Sequence, residues 1–224
     1  MSIEGQVDIS HILEPESCLI INLNFHEDLF RKSFSKMEFI MAMDYLAPKI
    51  LDLHMKTMNV DTTHGKKYVA SGNKDKDRYE SIKLERRERV IPTISEMDRQ
   101  FIDRFSREFE YSGKEIQSDS QDIMLDGRIL SKIESYSPGT LIFTGFKTDY
   151  EVLASSITAE IMGYYSVVIS DATSTHSERL FFSSLELMSQ YLEVIDTRDL
   201  MNGKETQKCT ETTLQEEERI CKME

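Results

Sequence analysis

Cysteine is scarce in this sequence. Cys18, Cys209 and Cys221 are the three in 224 residues, an odd number with neither metal-ligand nor redox spacing. That argues against a disulfide framework and favours a reducing cytoplasm. Basic charge is also short. The formal net charge is −13, which leaves no general field for nucleic acid or anionic membrane, so neither is expected as a partner. No apolar run approaches the roughly 20 residues that span a bilayer, and the N-terminus has no basic stretch followed by an apolar one. With nine glycines and four prolines there is no low-complexity run, and no internal repeat is present. The chain is long enough for one domain that buries roughly 70% of its unfolded surface.

The stretch around which the chain is organised is 139–153. Leu141 to Phe143 follow Pro138-Gly139, and a short apolar run bounded by turn formers predicts a buried strand. Thr144-Gly145 closes it. Thr148-Asp149 then offers two N-cap side chains ahead of Tyr150, Val152, Leu153, Ile157 and Ile161, whose spacing predicts the apolar face of a helix. A strand, a tight turn and a helix in that order place a site at the carboxyl end of the strand, where helix N–H groups point into the crevice.

Thr144-Gly145-Phe146-Lys147-Thr148-Asp149-Tyr150-Glu151-Val152 resembles the signature of the isochorismatase-like cysteine hydrolases, Thr-Gly, two residues, Thr-Asp, an apolar residue, Cys and Val. The resemblance continues through Gly163-Tyr164, the apolar run to Ser170, and Asp171-Ala172. Glu151 stands where the family has its nucleophilic Cys. The family implies a three-layer α/β/α sandwich, Rossmann-like, with a mostly parallel sheet of about six strands. It also implies self-association as a dimer or tetramer.

Cys18-Leu19-Ile20-Ile21 leads to Asn22-Leu23-Asn24, a first buried strand with polar side chains at its carboxyl end. In the resemblance, Asn22 takes the place of the catalytic Asp, and an amide cannot accept a proton as that Asp does. Taken alone, Asn22 and Asn24 are ordinary strand terminators. Residues 36–58 carry a dense apolar set that reads as a long helix, kinked or split by Pro48. The methionines in it read as core filler. Asp52, His54, Asp61 and His64 include metal-ligating types, and nicotinamidases of the family do bind metal. Their local pattern differs here, so neither a metal nor any other cofactor is expected.

Lys67–Ser71 reads as a weak second strand, and the mixed-charge run 72–89 as a solvated segment. For the third strand two alignments are open. The preferred one uses Gln100–Asp103 and sets Arg104 at the family's Lys position, with Pro92 and Phe109 also matched. The other uses Glu115–Ser118 and leaves Ser118 there. The triad-equivalent positions are thus Asn22, Arg104 and Glu151. A bidentate Arg104–Glu151 pair would match charges that are costly to bury singly. Asn24, Phe109, Thr148, Asp149 and Tyr150 are the candidate ligand contacts around them.

Ile129, Leu130 and Ile133 predict a helix over 126–133. Tyr165–Ser170 reads as a fifth strand and 171–177 as a polar loop, in which His176 has a structural or capping role. Leu180, Phe181, Phe182, Leu185, Leu187 and Met188 supply the core face of the next helix, and Leu192–Ile195 a sixth strand. Residues 1–202 form one isochorismatase-like α/β domain in this reading, and 203–224 a charged tail or docking helix. Two functions remain open. One is a pseudoenzyme that binds a small ligand or partner. The other is a hydrolase of a small amide, ureide or vinyl ether with Glu151 as general base.

Overall fold

The computed structural model describes residues 13–62, 100 and 115–200. Its spine is β1 (Cys18–Leu23), buried at every position, as the unbroken apolar run requires of a strand covered on both faces. β1 pairs in parallel with β2 (Lys56–Asp61) on one side and β4 (Thr140–Phe146) on the other. β3 (Ile116–Gln117) pairs with β2, β5 (Tyr165–Ser174) with β4, and β6 (Glu193–Ile195) with β5, all parallel. The order β3-β2-β1-β4-β5-β6 means the chain winds outward from β1, then returns and winds outward the other way. The reversal leaves a crevice beyond the carboxyl ends of β1 and β4, the topological switch point where open α/β sheets bind ligands.

Two cores flank the sheet. Cys18 and Ile20 turn toward α2 (Lys36–Asp52), whose Phe39, Met43, Leu46 and Ile50 pack with Phe30 of α1 (Glu27–Lys32) and Phe146. Leu19, Ile21 and Leu23 face the opposite core. It contains Ile129 and Ile133 of α3 (Gly127–Tyr136), Ala159 of α4 (Leu153–Ile161) and Met188 of α5 (Glu178–Met188). Each fully buried Leu or Ile contributes about 1.5–3 kcal/mol. The three-layer α/β/α sandwich is thereby confirmed, with six strands.

Several expectations change. Pro48 lies inside α2 without splitting it, and α2 ends at Asp52 rather than near 58. His54, in the left-handed region at φ 51°, turns the chain, and 56–58 join β2, the observed second strand. The strand at the third position is Ile116–Gln117, as in the second alignment. Gln100 is helical and residues 101–103 lie outside the described residues, as do Lys67–Ser71, 72–89 and the tail from 201. β5 runs on to Ser174, so 171–174 are strand and not loop. On α5, Phe181, Ser184 and Met188 are buried at helical spacing, while Leu180, Phe182 and Leu187 face outward. No helix among the described residues is long and apolar enough to cross a membrane.

Gly145 shows how tightly β1 and β4 close. At φ +110° it adopts a conformation that L side chains avoid, and a Cβ there would meet the carbonyl oxygen of Leu23 at 2.0 Å.

Candidate functional site

Asn22 sits one residue before the end of β1, with Asn59 of β2 and Thr144 of β4 as its register partners. All three side chains meet. Asn22 Nδ2 donates to Asn59 Oδ1 at 2.8 Å, and Thr144 Oγ1 donates to Asn22 Oδ1 at 2.6 Å. This ladder crosses three strands and uses both ends of the Asn22 amide. It holds the floor of the crevice and offers no carboxylate as a proton acceptor.

The turn after β4 is set by Lys147, in the left-handed region at φ 66°. Its N–H donates to Ser174 O at 2.8 Å, and its carbonyl accepts from Tyr150 N at 3.0 Å and Val152 N at 3.3 Å. The five-residue spacing of the second bond belongs to a π turn over Thr148–Val152, a form that recurs at functional sites. The wider turn shifts the phase of the helix that follows. The sheet-facing residues become Val152, Ser155, Ser156 and Ala159, while Tyr150 and Ile161 are 46% and 79% exposed. Neither Thr148 nor Asp149 caps the turn as expected, because Lys147 is the capping residue.

Within this turn Lys147 Nζ donates to Oε1 of Glu151, an ion pair across one turn. The Glu151 side chain is wholly buried and that of Lys147 is 22% exposed. Burying a lone carboxylate costs several kcal/mol, and an ammonium so close offsets that cost. Sequence reasoning sought the counter-charge at Arg104, which lies outside the described residues, as does Phe109. It overlooked Lys147, although a Lys four residues before a Glu was a readable signal once the turn was taken as helical. Ser118, the alternative at the Lys position, is 2% exposed just beyond β3. Its hydroxyl is engaged with the carbonyl of Ser120 at 2.7 Å.

The candidate ligand contacts divide. Asp149 accepts from Thr175 Oγ1 and so ties the π turn to the end of β5. His176 adjoins the same threonine, Nδ1 to Oγ1 at 3.3 Å, in keeping with a structural role. Asn24 and Thr148 behave differently. Asn24, at φ 56°, is wholly buried, and its Oδ1 accepts from Thr62 N at 2.7 Å and Thr62 Oγ1 at 3.0 Å. Its Nδ2 has no hydrogen-bond partner, and neither has Oγ1 of the equally buried Thr148. A buried donor left unmatched costs about 1–3 kcal/mol, so such groups call for a bound molecule or water.

A further cluster at the end of β2 was missed by sequence reasoning. His26 Nε2 lies 2.8 Å from Asp61 Oδ1, and Gln117 Nε2 donates to Asp61 Oδ2 at 2.7 Å. Glu115 stands nearby, its carboxyl shifted above the ordinary range by partial desolvation, with His26 lowering it and Asp61 raising it further. The available signal was Asn24-Phe25-His26 just past an apolar run. The metal-type residues are not brought together. Asp52 and His54 precede β2 and Asp61 ends it, roughly 20 Å away along the strand, and His64 lies outside the described residues. Among the described residues no group of three His, Cys, Asp or Glu side chains could hold a metal ion.

No family model matches the chain, and no curated protein matches it. Solved structures do match. YcaC from Pseudomonas aeruginosa is 12% identical with a TM-score of 0.59, the match covering 85% of this chain and 81% of that one. An isochorismatase-like hydrolase from Alkaliphilus metalliredigens is 12% identical with a TM-score of 0.54, over 83% of this chain and 98% of that one. The YcaC gene product of Escherichia coli, an octameric hydrolase of unknown specificity, is 12% identical with a TM-score of 0.55, over 82% and 76%. The likeness establishes an isochorismatase-like fold.

Proposed function

We propose that this protein binds a small polar ligand in the switch-point crevice and is a pseudoenzyme with respect to cysteine-hydrolase chemistry. One observation carries the reading. The residue at the nucleophile position of the resemblance is Glu151, wholly buried, with one carboxylate oxygen engaged by Lys147. A carboxylate is a poor nucleophile toward amides, and Asn22, held by Asn59 and Thr144, has no lone carboxylate with which to take a proton. The unmatched Asn24 and Thr148 groups support binding. Glu151 as a general base on water is disfavoured because the Lys147 ammonium at Oε1 stabilises the ionised carboxylate and so weakens it as a proton acceptor.

The test is a hydrolysis screen of wild type and Glu151→Gln against small amides, ureides, nicotinamide and isochorismate-like vinyl ethers. The expected result is no turnover by either folded protein. Turnover by wild type that disappears in the variant overturns the reading and establishes a carboxylate-based hydrolase.

The protein also self-associates in this proposal, through the outward face of α2 and the start of α5. Met37, Met41 and Tyr45 recur every four residues along α2 and are 61%, 60% and 37% exposed. Just before α2 and at the start of α5, Phe34 and Phe182, 37% and 57% exposed, pack on the buried Phe181, with centroids 5.1 Å apart for Phe34–Phe181 and 5.3 Å for Phe181–Phe182. So much exposed apolar surface is characteristic of an interaction site, and the octameric neighbour supports a second copy as the partner. A cytoplasmic setting is part of the proposal, on the cysteine usage.

A further inference from the structure

The exposed Phe34 and the buried π turn are joined by an unbroken set of hydrogen bonds. Ser33 follows α1 as its C-cap residue and Ser35 precedes α2 as its N-cap residue. The Ser35 side chain makes no capping bond to its own helix, which is the ordinary use of a serine there. Its hydroxyl instead meets that of Ser174 at 2.7 Å, and the Ser33 hydroxyl meets the same oxygen. Between the two serines, Phe34 N donates to Thr175 O at 3.1 Å. Residues 33–35 thus form a strap bonded at three consecutive positions to the end of β5. Ser174 and Thr175 also hold the π turn. Ser174 O accepts from Lys147 N at 2.8 Å, and Thr175 Oγ1 donates to Asp149. Ser33, Ser35, Ser174 and Thr175 are all buried. A shift that broke one of these bonds would leave a polar group unsatisfied in the interior, so strap and turn move together.

We propose that self-association at the Phe34–Phe182 patch is coupled to the crevice through Ser174 and Thr175, so that a second copy seated on Phe34 resets the turn that carries Thr148 and Glu151. This rests on the self-association reading above and makes assembly a regulator of the ligand site. Phe34 is 37% exposed and packs on Phe181 of α5, so a copy that covers it presses on the strap from outside. Thr148 is wholly buried, beyond direct contact with that copy. The coupling is reciprocal. A molecule that favours one position of the turn shifts assembly by the same factor as assembly shifts its binding.

The experiment follows the Thr148 methyl group by NMR in the full chain with isotope-labelled threonine, at concentrations that sedimentation equilibrium shows to be unassembled and assembled. The signal is identified by its loss in Thr148→Val. It is expected to shift with the fraction assembled, and to keep its unassembled position at every concentration in Phe34→Ser. In Ser174→Ala it is expected to stop following assembly although that variant still assembles. Where thermal denaturation shows Ser174→Ala to be unfolded, Ser33→Ala combined with Ser35→Ala cuts the same link from the strap side, with the same expected loss. Assembly of wild type with an unmoved Thr148 signal overturns the coupling and leaves self-association standing. A signal that still follows assembly in the serine variants overturns the route through Ser174. Absence of assembly at every concentration overturns the self-association reading and the coupling with it.

Discussion

Lys147, Glu151 and Asp149, on the β4–β5 side of the switch point, are matched with partners inside the fold, whereas Asn24 and His26, on the β1–β2 side, keep a donor and a ring edge unclaimed. The matched side is a continuous network. Lys147 holds Glu151, Asp149 accepts from Thr175, Lys147 N donates to Ser174 O, and the Ser174 hydroxyl meets those of Ser33 and Ser35 at the entry to α2. Within it, the Thr148 hydroxyl has no hydrogen-bond partner. The half of the crevice that carries the nucleophile in the resembled family is thus rigid structure here. In the proposed reading, recognition falls to the groups left unmatched, Asn24 Nδ2 and the Thr148 hydroxyl.

The largest expected effect breaks the matched side. Lys147→Met leaves the Glu151 carboxylate buried without its ammonium and is expected to cost about 3 kcal/mol, read by chemical denaturation. Glu151→Gln should cost less, because it buries an amide and frees a lysine that can reach water. Equal stability of Lys147→Met and wild type would show that the ion pair does not anchor this side. A smaller effect of opposite sign sharpens the contrast. Thr148→Val removes an unmatched hydroxyl and is expected to stabilise the ligand-free protein by ~1 kcal/mol while weakening ligand binding, and a loss of stability would mean that the hydroxyl is already satisfied.

The smallest effect lies away from the crevice. Asp126 caps α3 by accepting from Arg128 N. Partial burial raises its pKa, but hydrogen bonds from Arg128 and the Asp119 N–H, with the Arg128 charge, outweigh that and hold it at about 2. A carboxylate lowered on folding stabilises the fold fully above its unfolded value of 3.8 and loses that contribution as pH falls through about 2. Asp126→Ala should cost about 1 kcal/mol at neutral pH, with the difference from wild type vanishing at the acid end of a pH series. A difference independent of pH would assign the effect to packing.

How much was legible depended on the kind of information each element needs. β1 and β4 were readable because a strand buried on both faces must be an apolar run, and α3 because Ile129 and Ile133 keep helical spacing beyond an Asp cap. The α2–β2 boundary was not, since Met55 and Met58 suit either period and the left-handed turn at His54 carries no sequence mark. β3 is two residues long, too short for any periodicity. The helix after β4 kept its place but not its face, because the π turn rotated Ser155, Ser156 and Ala159 inward in place of Tyr150 and Ile161.

By itself the sequence determined the layer architecture and the place of the crevice, because burial patterns and turn formers act locally along the chain. In the resemblance it also set Glu151 where the family has its thiol. Only the tertiary structure decided what the neighbouring groups do. That Lys147 matches Glu151 depends on a π turn, and that His26 meets Asp61 while Asn24 is left with a bare donor depends on the register of β1 against β2. Register and turn geometry are set by the packing of the whole sheet, and no local residue pattern encodes them.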